Sequence, residues 1–387
     1  MRTVITAAML FDGSTFIDHP MVTIEDGHIH AISQRENGDL PEGSGVLDFP
    51  GSILAPAFFD VHFHGAAGHD VMEATPAALE QIGSFLASHG TGSFLATTVT
   101  AGLDATLKAV SGLAKLIEKP ATEGQARPIG IHLEGPFLSH AKRGVQPAEH
   151  LLAPDIATFD RLFEAGEGHV RLMTLAPELP GAAELAAHAT SRGVRISIGH
   201  SNATAAETRS TIAAGAVSAT HTFNAMRPLD HREPGILGTV LTTDTLYSEL
   251  ICDGIHNARE MARLWWHAKG ESRGILITDA MSAAGMPDGT YQLGGFAVQV
   301  ENGRATANGV LAGSVLTLDR ALANFVEFTG ATVEQGLHLL TANPARMTGM
   351  TEHTGTVEVG LPANVVAIDT LGRLCWSVVG GRPVAVS

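Results

Sequence analysis

Along the 387-residue chain, hydrophobic and polar positions fall into three zones. Near the start, TVITAAMLFDG and MVTIEDGHIHAIS read as short strands, with Asp-Gly pairs marking the turns. The same signal returns late in the chain, in ANVVAIDTLGRLCWSVVGGRPVAV. The middle alternates. Eight apolar, β-rich runs occur there: AFFDVHFHG, GSFLATTVT, PIGIHLEG, VRLMTLAPE, VRISIGHS, AVSATHTFN, YSELICDG and GILITDAM. Helix-like stretches such as LDATLKAVSGLAKLIEK, PDIATFDRLFEAG and AAELAAHATSRG separate most of them. This alternation predicts a parallel α/β architecture, and eight strands is the number that closes a (β/α)8 TIM-type barrel. An open doubly wound sheet competes, but no glycine-rich phosphate fingerprint follows the first barrel-type run. The expected plan is a barrel over residues 53–353, with 1–52 and 354–387 forming one small β-sandwich domain. The plainer alternative for the two ends is a pair of unrelated edge hairpins.

Composition narrows the function classes. Hydrophobic residues make up 44% of the chain and charged residues 17%, as in an ordinary globular enzyme, and the 43 glycines point to many tight loops. A formal charge of −16 argues against nucleic acid or an anionic membrane as partner, though a local cluster of donors can still hold a small anion. Two cysteines, Cys252 and Cys375, are too few for a disulfide framework. The start of the chain lacks the pattern of a signal peptide, and no apolar stretch reaches membrane-spanning length. A cytoplasmic location is expected.

The chemistry collects at the strand ends. The first run closes on Asp60-Val61-His62-Phe63-His64, and residues two apart on a strand face the same way. The third run ends in Glu134, the fifth in His200 and the sixth in His221. The seventh leads through Asp253 to His256, and the eighth ends in Asp279. Singly, each has a bland reading as a core histidine or a turn cap, and an HxH pair is weak in a chain with 19 histidines. Together they are not bland, because a barrel brings all its C-terminal strand ends to one face. Imidazole with carboxylate is the ligand set of a divalent transition metal, zinc by default and iron as an alternative. On this reading Glu134 leaves its strand to bind metal, and Gly135-Pro136 turn the chain away behind it. His69, His140 and His231 are expected on solvated loops, and Cys252 in the core.

These residues also carry a family likeness. DVHFHG, GIHLEGPFLS, MTLAPE, ISIGHSNAT, THTFNAM, REPG, DGIHN, ITDAMSAAG, LAGS and NPAR, in this order, resemble the N-acetylglucosamine-6-phosphate deacetylases of the amidohydrolase superfamily. The likeness runs from about Asp60 to Arg346. It implies metal-dependent removal of an acetyl group from an amino-sugar phosphate, in amino-sugar catabolism or cell-wall recycling, by a homodimer. By position it implies Glu134, His200 and His221 as principal metal ligands and Asp279 as catalytic acid–base. Val145, Asn224, Ala225, Arg232, His256 and the run Ala312, Gly313, Ser314 match substrate contacts. Some members lack the HxH pair and hold one ion, with a histidine at the position of Gln146; this chain has His62, His64 and Gln146. The amide of Gln146 can donate a hydrogen bond but is no acid. Two ions are therefore expected, the second on His62 and His64 with Glu134 or Asp279 shared, leaving Gln146 or that second ion to polarise the carbonyl. The rivals are an N-acetylgalactosamine-6-phosphate deacetylase, another amide hydrolase of the superfamily, and a catalytically silent sugar-phosphate sensor. The fourth run offers no lysine for the carboxylated-lysine branch, and no ligand is missing as a silent sensor would require.

Overall fold

The computed structural model describes residues 2–35 and 45–387. Eight strands make its centre: β1 (Phe58–Phe63), β2 (Thr91–Thr98), β3 (Arg127–Glu134), β4 (Val170–Leu175), β5 (Arg195–Ile198), β6 (Ala216–Ala219), β7 (Ser248–Ile251) and β8 (Gly274–Ile277). β1 to β6 form a parallel sheet in sequence order, and β7 and β8 form a parallel pair. Backbone bonds from Ala219 to Tyr247 and from Thr222 to Glu249 join β6 to β7, while Asp279 N donates to His62 O and His64 N to Ala280 O. These last bonds seal β8 against β1, so the sheet closes into the expected (β/α)8 barrel. Every residue of β1 and of β2 is buried, which is why these runs read as continuously apolar rather than alternating.

The helices follow the strands. Thr75 caps the helix Pro76–Ser88 through its side chain, and Asp155 does the same for Ile156–Ala165. Thr204 with Glu207 makes a reciprocal capping box at Ala205–Ala213. Ile82 on the first of these and Phe159 and Leu162 on the second pack against the barrel, as do Val110 and Leu113 on the helix Leu103–Ile117 and Leu185 on Ala182–Ser191.

Both ends of the chain meet in one eight-stranded mixed sheet, the small β domain. The strand Gly45–Pro56 pairs parallel with Arg2–Phe11 and antiparallel with Val365–Ile368. Ile5, Leu10, Val22, Leu54, Val365 and Val378 are its core. A second feature was not expected from the sequence. After β8, residues 289–311 form a four-stranded antiparallel insert, Gly289–Leu293, Phe296–Glu301, Arg304–Ala307 and Val310–Leu311. Val298, Val300, Leu293 and Ala305 pack it onto Val99 and Met281 beside the barrel mouth. Among the described residues no helix is long and apolar enough to cross a membrane.

Candidate metal centre

At the C-terminal end of the barrel the six expected ligand residues converge. They form two groups, Glu134 with His200 and His221, and His62 with His64 and Asp279; within each group the ligating atoms lie within 4.8 Å of one another. Glu134 stands between the groups. Its Oε1 is 3.1 Å from the Nε2 atoms of both His200 and His221 and 3.3 Å from His62 Nε2, and its Oε2 is 3.4 Å from His64 Nε2. Asp279 Oδ1 lies 3.1 Å from His64 Nε2 and 3.5 Å from His62 Nε2.

The backbone delivers these side chains by leaving the strand conformation. His200, His221 and Asp279 have φ of 46°, 28° and 50°, in the left-handed region that non-glycine residues seldom adopt. Such positions cost about 1–3 kcal/mol each and occur where function over-determines the geometry. Behind Glu134, Gly135 sits at φ +97°, and a Cβ there would collide with Thr100 Oγ1, so only glycine lets the chain turn at this point.

The hydrogen bonds behind the imidazoles decide what the centre can hold. His64 Nδ1 is 3.0 Å from the Thr97 carbonyl, and His200 Nδ1 is 3.0 Å from the Lys142 carbonyl. A carbonyl only accepts, so each ring keeps its proton on Nδ1 and turns an Nε2 lone pair inward. His62 Nδ1 faces the Glu249 carboxylate at 3.3 Å. Inside, His62 and His64 present their Nε2 atoms to each other at 3.3 Å, and His200 and His221 at 3.0 Å. Nitrogens this close need a proton or a metal cation between them, and the imidazole–carboxylate donor set fits a divalent transition metal.

The electrostatics agree. Burial opposes a charge on His62 and His64, but the carboxylates of Glu134 and Asp279 outweigh it, lifting His62 well above the usual histidine range and His64 to about 9. Burial alone would raise Glu134 and Asp279, yet the imidazoles hold Glu134 far below its ordinary value and Asp279 at about 2. The site is a negative well that draws in positive charge. Beneath it, His132 is neutral, held well below its ordinary value by burial and then by its histidine neighbours, and donates or accepts with Thr174 at 2.8 Å.

A cavity of about 390 Å³ opens above the centre, lined by Val145, Gln146, Asn224, Ala225, His256, Gly313 and Asp279 among others. Gln146 is doubly committed: Oε1 accepts from Thr100 N at 2.9 Å, which fixes the amide orientation, and Nε2 donates to Glu134 Oε2 at 2.7 Å. It therefore steadies the bridging carboxylate. His256 is held by Asp253 at 2.7 Å through Nδ1. Three expected substrate contacts do not line the cavity. Arg232 stands on an exposed segment with its backbone N–H on Asp230, because the chain turns outward there. Ala312 is buried in the insert's core, and Ser314 spends its hydroxyl on Thr278 O at 2.6 Å while its N–H holds the Asp279 carbonyl. Lys142, Leu293, Val310 and Leu311 line the cavity and were not anticipated. The Asn-Gly pairs at 302–303 and 308–309, between alternating residues, were the available signal for the insert that brings the last three.

Comparison with known proteins was consistent with this geometry. The family model "Amidohydrolase family" matches residues 53–382. An N-acetylgalactosamine-6-phosphate deacetylase of Escherichia coli O157:H7 is 38% identical over 371 residues, 96% of each chain. An N-acetylglucosamine-6-phosphate deacetylase of Bacillus subtilis is 37% identical over 374 residues, 96% of this chain and 94% of that one. A Mycobacterium smegmatis N-acetyl-D-glucosamine-6-phosphate deacetylase variant, solved in complex with N-acetyl-D-glucosamine-6-phosphate, superposes with a TM-score of 0.91 at 31% identity, covering both chains fully.

Proposed function

Because the chain belongs to the amidohydrolase family, we propose that it hydrolyses the N-acetyl group of N-acetylglucosamine 6-phosphate, giving glucosamine 6-phosphate and acetate. The observation that carries this reading is the convergence of both ligand groups and the ionised Asp279 on Glu134, at the floor of a cavity of about 390 Å³. A divalent ion held by Glu134, His200 and His221 would supply Lewis-acid polarisation and would acidify the attacking water. Asp279 accepts the proton of the attacking water and returns it to the amine nitrogen, which is a poor leaving group until protonated. Gln146 fixes Glu134, and Asn224, His256 and Gly313 orient the sugar. Lys142 and Arg232 are the cations assigned to the phosphate, Lys142 from the cavity wall and Arg232 from its exposed segment. The finer reading is two zinc ions per chain in a cytoplasmic homodimer, a setting that suits two free thiols.

A second reading, the galactosamine epimer, is favoured by the Escherichia coli relative at 38% identity. Acetate release from a panel of N-acetylated hexosamine phosphates, with metal analysis and light scattering of the same preparation, separates them. Faster turnover of the galactosamine compound establishes the second reading, and no release from any member removes both.

A further inference from the structure

Glu249 is the polar residue that the metal centre leaves unexplained. It lies within β7, whose four residues are all buried, and its own exposure is 0%. Oε2 accepts from His221 N at 3.1 Å and faces His62 Nδ1 at 3.3 Å, whereas Oε1 has no hydrogen-bond partner among the described residues. A buried carboxylate with an open oxygen is costly, and no lysine or arginine pays it back: among the described residues its ion-pair partner is His62. The plain reading is a structural acid pinned by the His221 amide. That role needs only a neutral acceptor and leaves the charge without a purpose.

The four imidazoles are not backed alike. His64 and His200 lean on carbonyls, and His221 Nδ1 has no partner among the described residues. His62 alone of the four leans on a carboxylate, through Nδ1. A carboxylate behind a ligating imidazole fixes its tautomer and strengthens the opposite nitrogen as a ligand. We propose that Glu249 is the positioning residue of the His62–His64–Asp279 site: it holds the His62 Nδ1 proton, presents Nε2 to a divalent cation, and so decides whether that second site fills. The proposal rests on the two-ion reading above.

The test is metal stoichiometry, read by elemental analysis and by titration of the metal-stripped chain with zinc alone. The unsubstituted chain is expected to take two ions. In Glu249→Leu the ion on Glu134, His200 and His221 should bind as before, and the other should weaken by about 10- to 100-fold. Glu249→Gln, which keeps the volume and an acceptor for the His221 amide, should show the same selective loss and carries the test if the leucine variant does not fold. In a His62→Gln background, Glu249→Gln should change metal binding no further. Variants that keep both ions at full affinity, or lose both in parallel, overturn the proposal while leaving the two-ion reading intact. An unsubstituted chain that takes one ion removes that reading and the proposal with it.

Discussion

Replacing Asp279 by asparagine should leave the fold and the substrate site in place and remove turnover. The backbone at Asp279 has φ 50°, a region asparagine tolerates as well as aspartate, so no new strain enters. Its main-chain bonds, N to His62 O and O from Ser314 N, do not involve the side chain. What changes is proton affinity. Burial would raise the Asp279 carboxyl, but His62 and His64 hold it at about 2, so it is an ionised base throughout the neutral range; an amide is not. Losing a general acid–base is worth about 10²–10⁴-fold, equivalent to about 2.7–5.4 kcal/mol in the barrel's transition state at 1.36 kcal/mol per decade. Asp279 Oδ1 also lies 3.1 Å from His64 Nε2, so the substitution can loosen the ion beside it. The assay must therefore compare kcat for acetate release between preparations of equal, measured metal content, with KM determined alongside. A kcat close to that of the unsubstituted chain would refute the acid–base role. So would a loss fully restored by excess metal, because Asp279 would then act only as a ligand.

Three further outcomes are expected. The double variant His62→Gln, His64→Asn should fall from two ions per chain to one under saturating metal; one ion in both chains, with unchanged activity, would remove the two-ion reading. Arg232→Ala should raise KM for the 6-phosphate substrate by the loss of a charge-assisted bond worth about 1.5–3 kcal/mol, with little change on unphosphorylated N-acetylglucosamine. Equal effects on both substrates would make Arg232 structural, and no effect on either would leave the phosphate to Lys142. Lys269, whose Nζ donates to the carbonyls of Val240 and Thr243 at 3.0 and 2.8 Å, has its pKa pulled down by burial to about 8. The folded chain therefore releases this proton before the unfolded chain does, near 10.4, and stability should rise with pH across that window. The melting temperature relative to Lys269→Met should shift in favour of lysine between neutral pH and about pH 10; a flat difference would refute the assignment.

The barrel was legible because its strands are buried on both faces, which writes them as continuous apolar runs such as GSFLATTVT. The candidate ligands were legible for a related reason: His62, Glu134, His200, His221 and Asp279 interrupt or end such runs, and a closed parallel barrel puts all those ends together. Glu249 was not, since one acid within YSELICDG looks like noise until the pairing of β6 with β7 aims it at His62. The insert at 289–311 was missed although its Asn-Gly turns were readable, because its strands are short and half exposed beside the long buried runs of the barrel. Ser314 shows a different limit. A motif fixes which residue is near a site, while the direction of its side chain depends on neighbours such as the Thr278 carbonyl that lie far off in the chain.

The strand Gly45–Pro56 has a consequence for how the chain is made. One of its edges is filled early by Arg2–Phe11, but the other waits for Val365–Ile368, and the paired residues Pro56 and Val365 lie 309 positions apart. At ribosomal rates of about 5–20 residues per second, that edge stays open for roughly 15–60 s. During this interval Ile53, Leu54 and Ala55 present an apolar, unpaired strand border to every other nascent chain nearby. The small sheet thus closes only once its last strands are made, although its first strands are synthesised first.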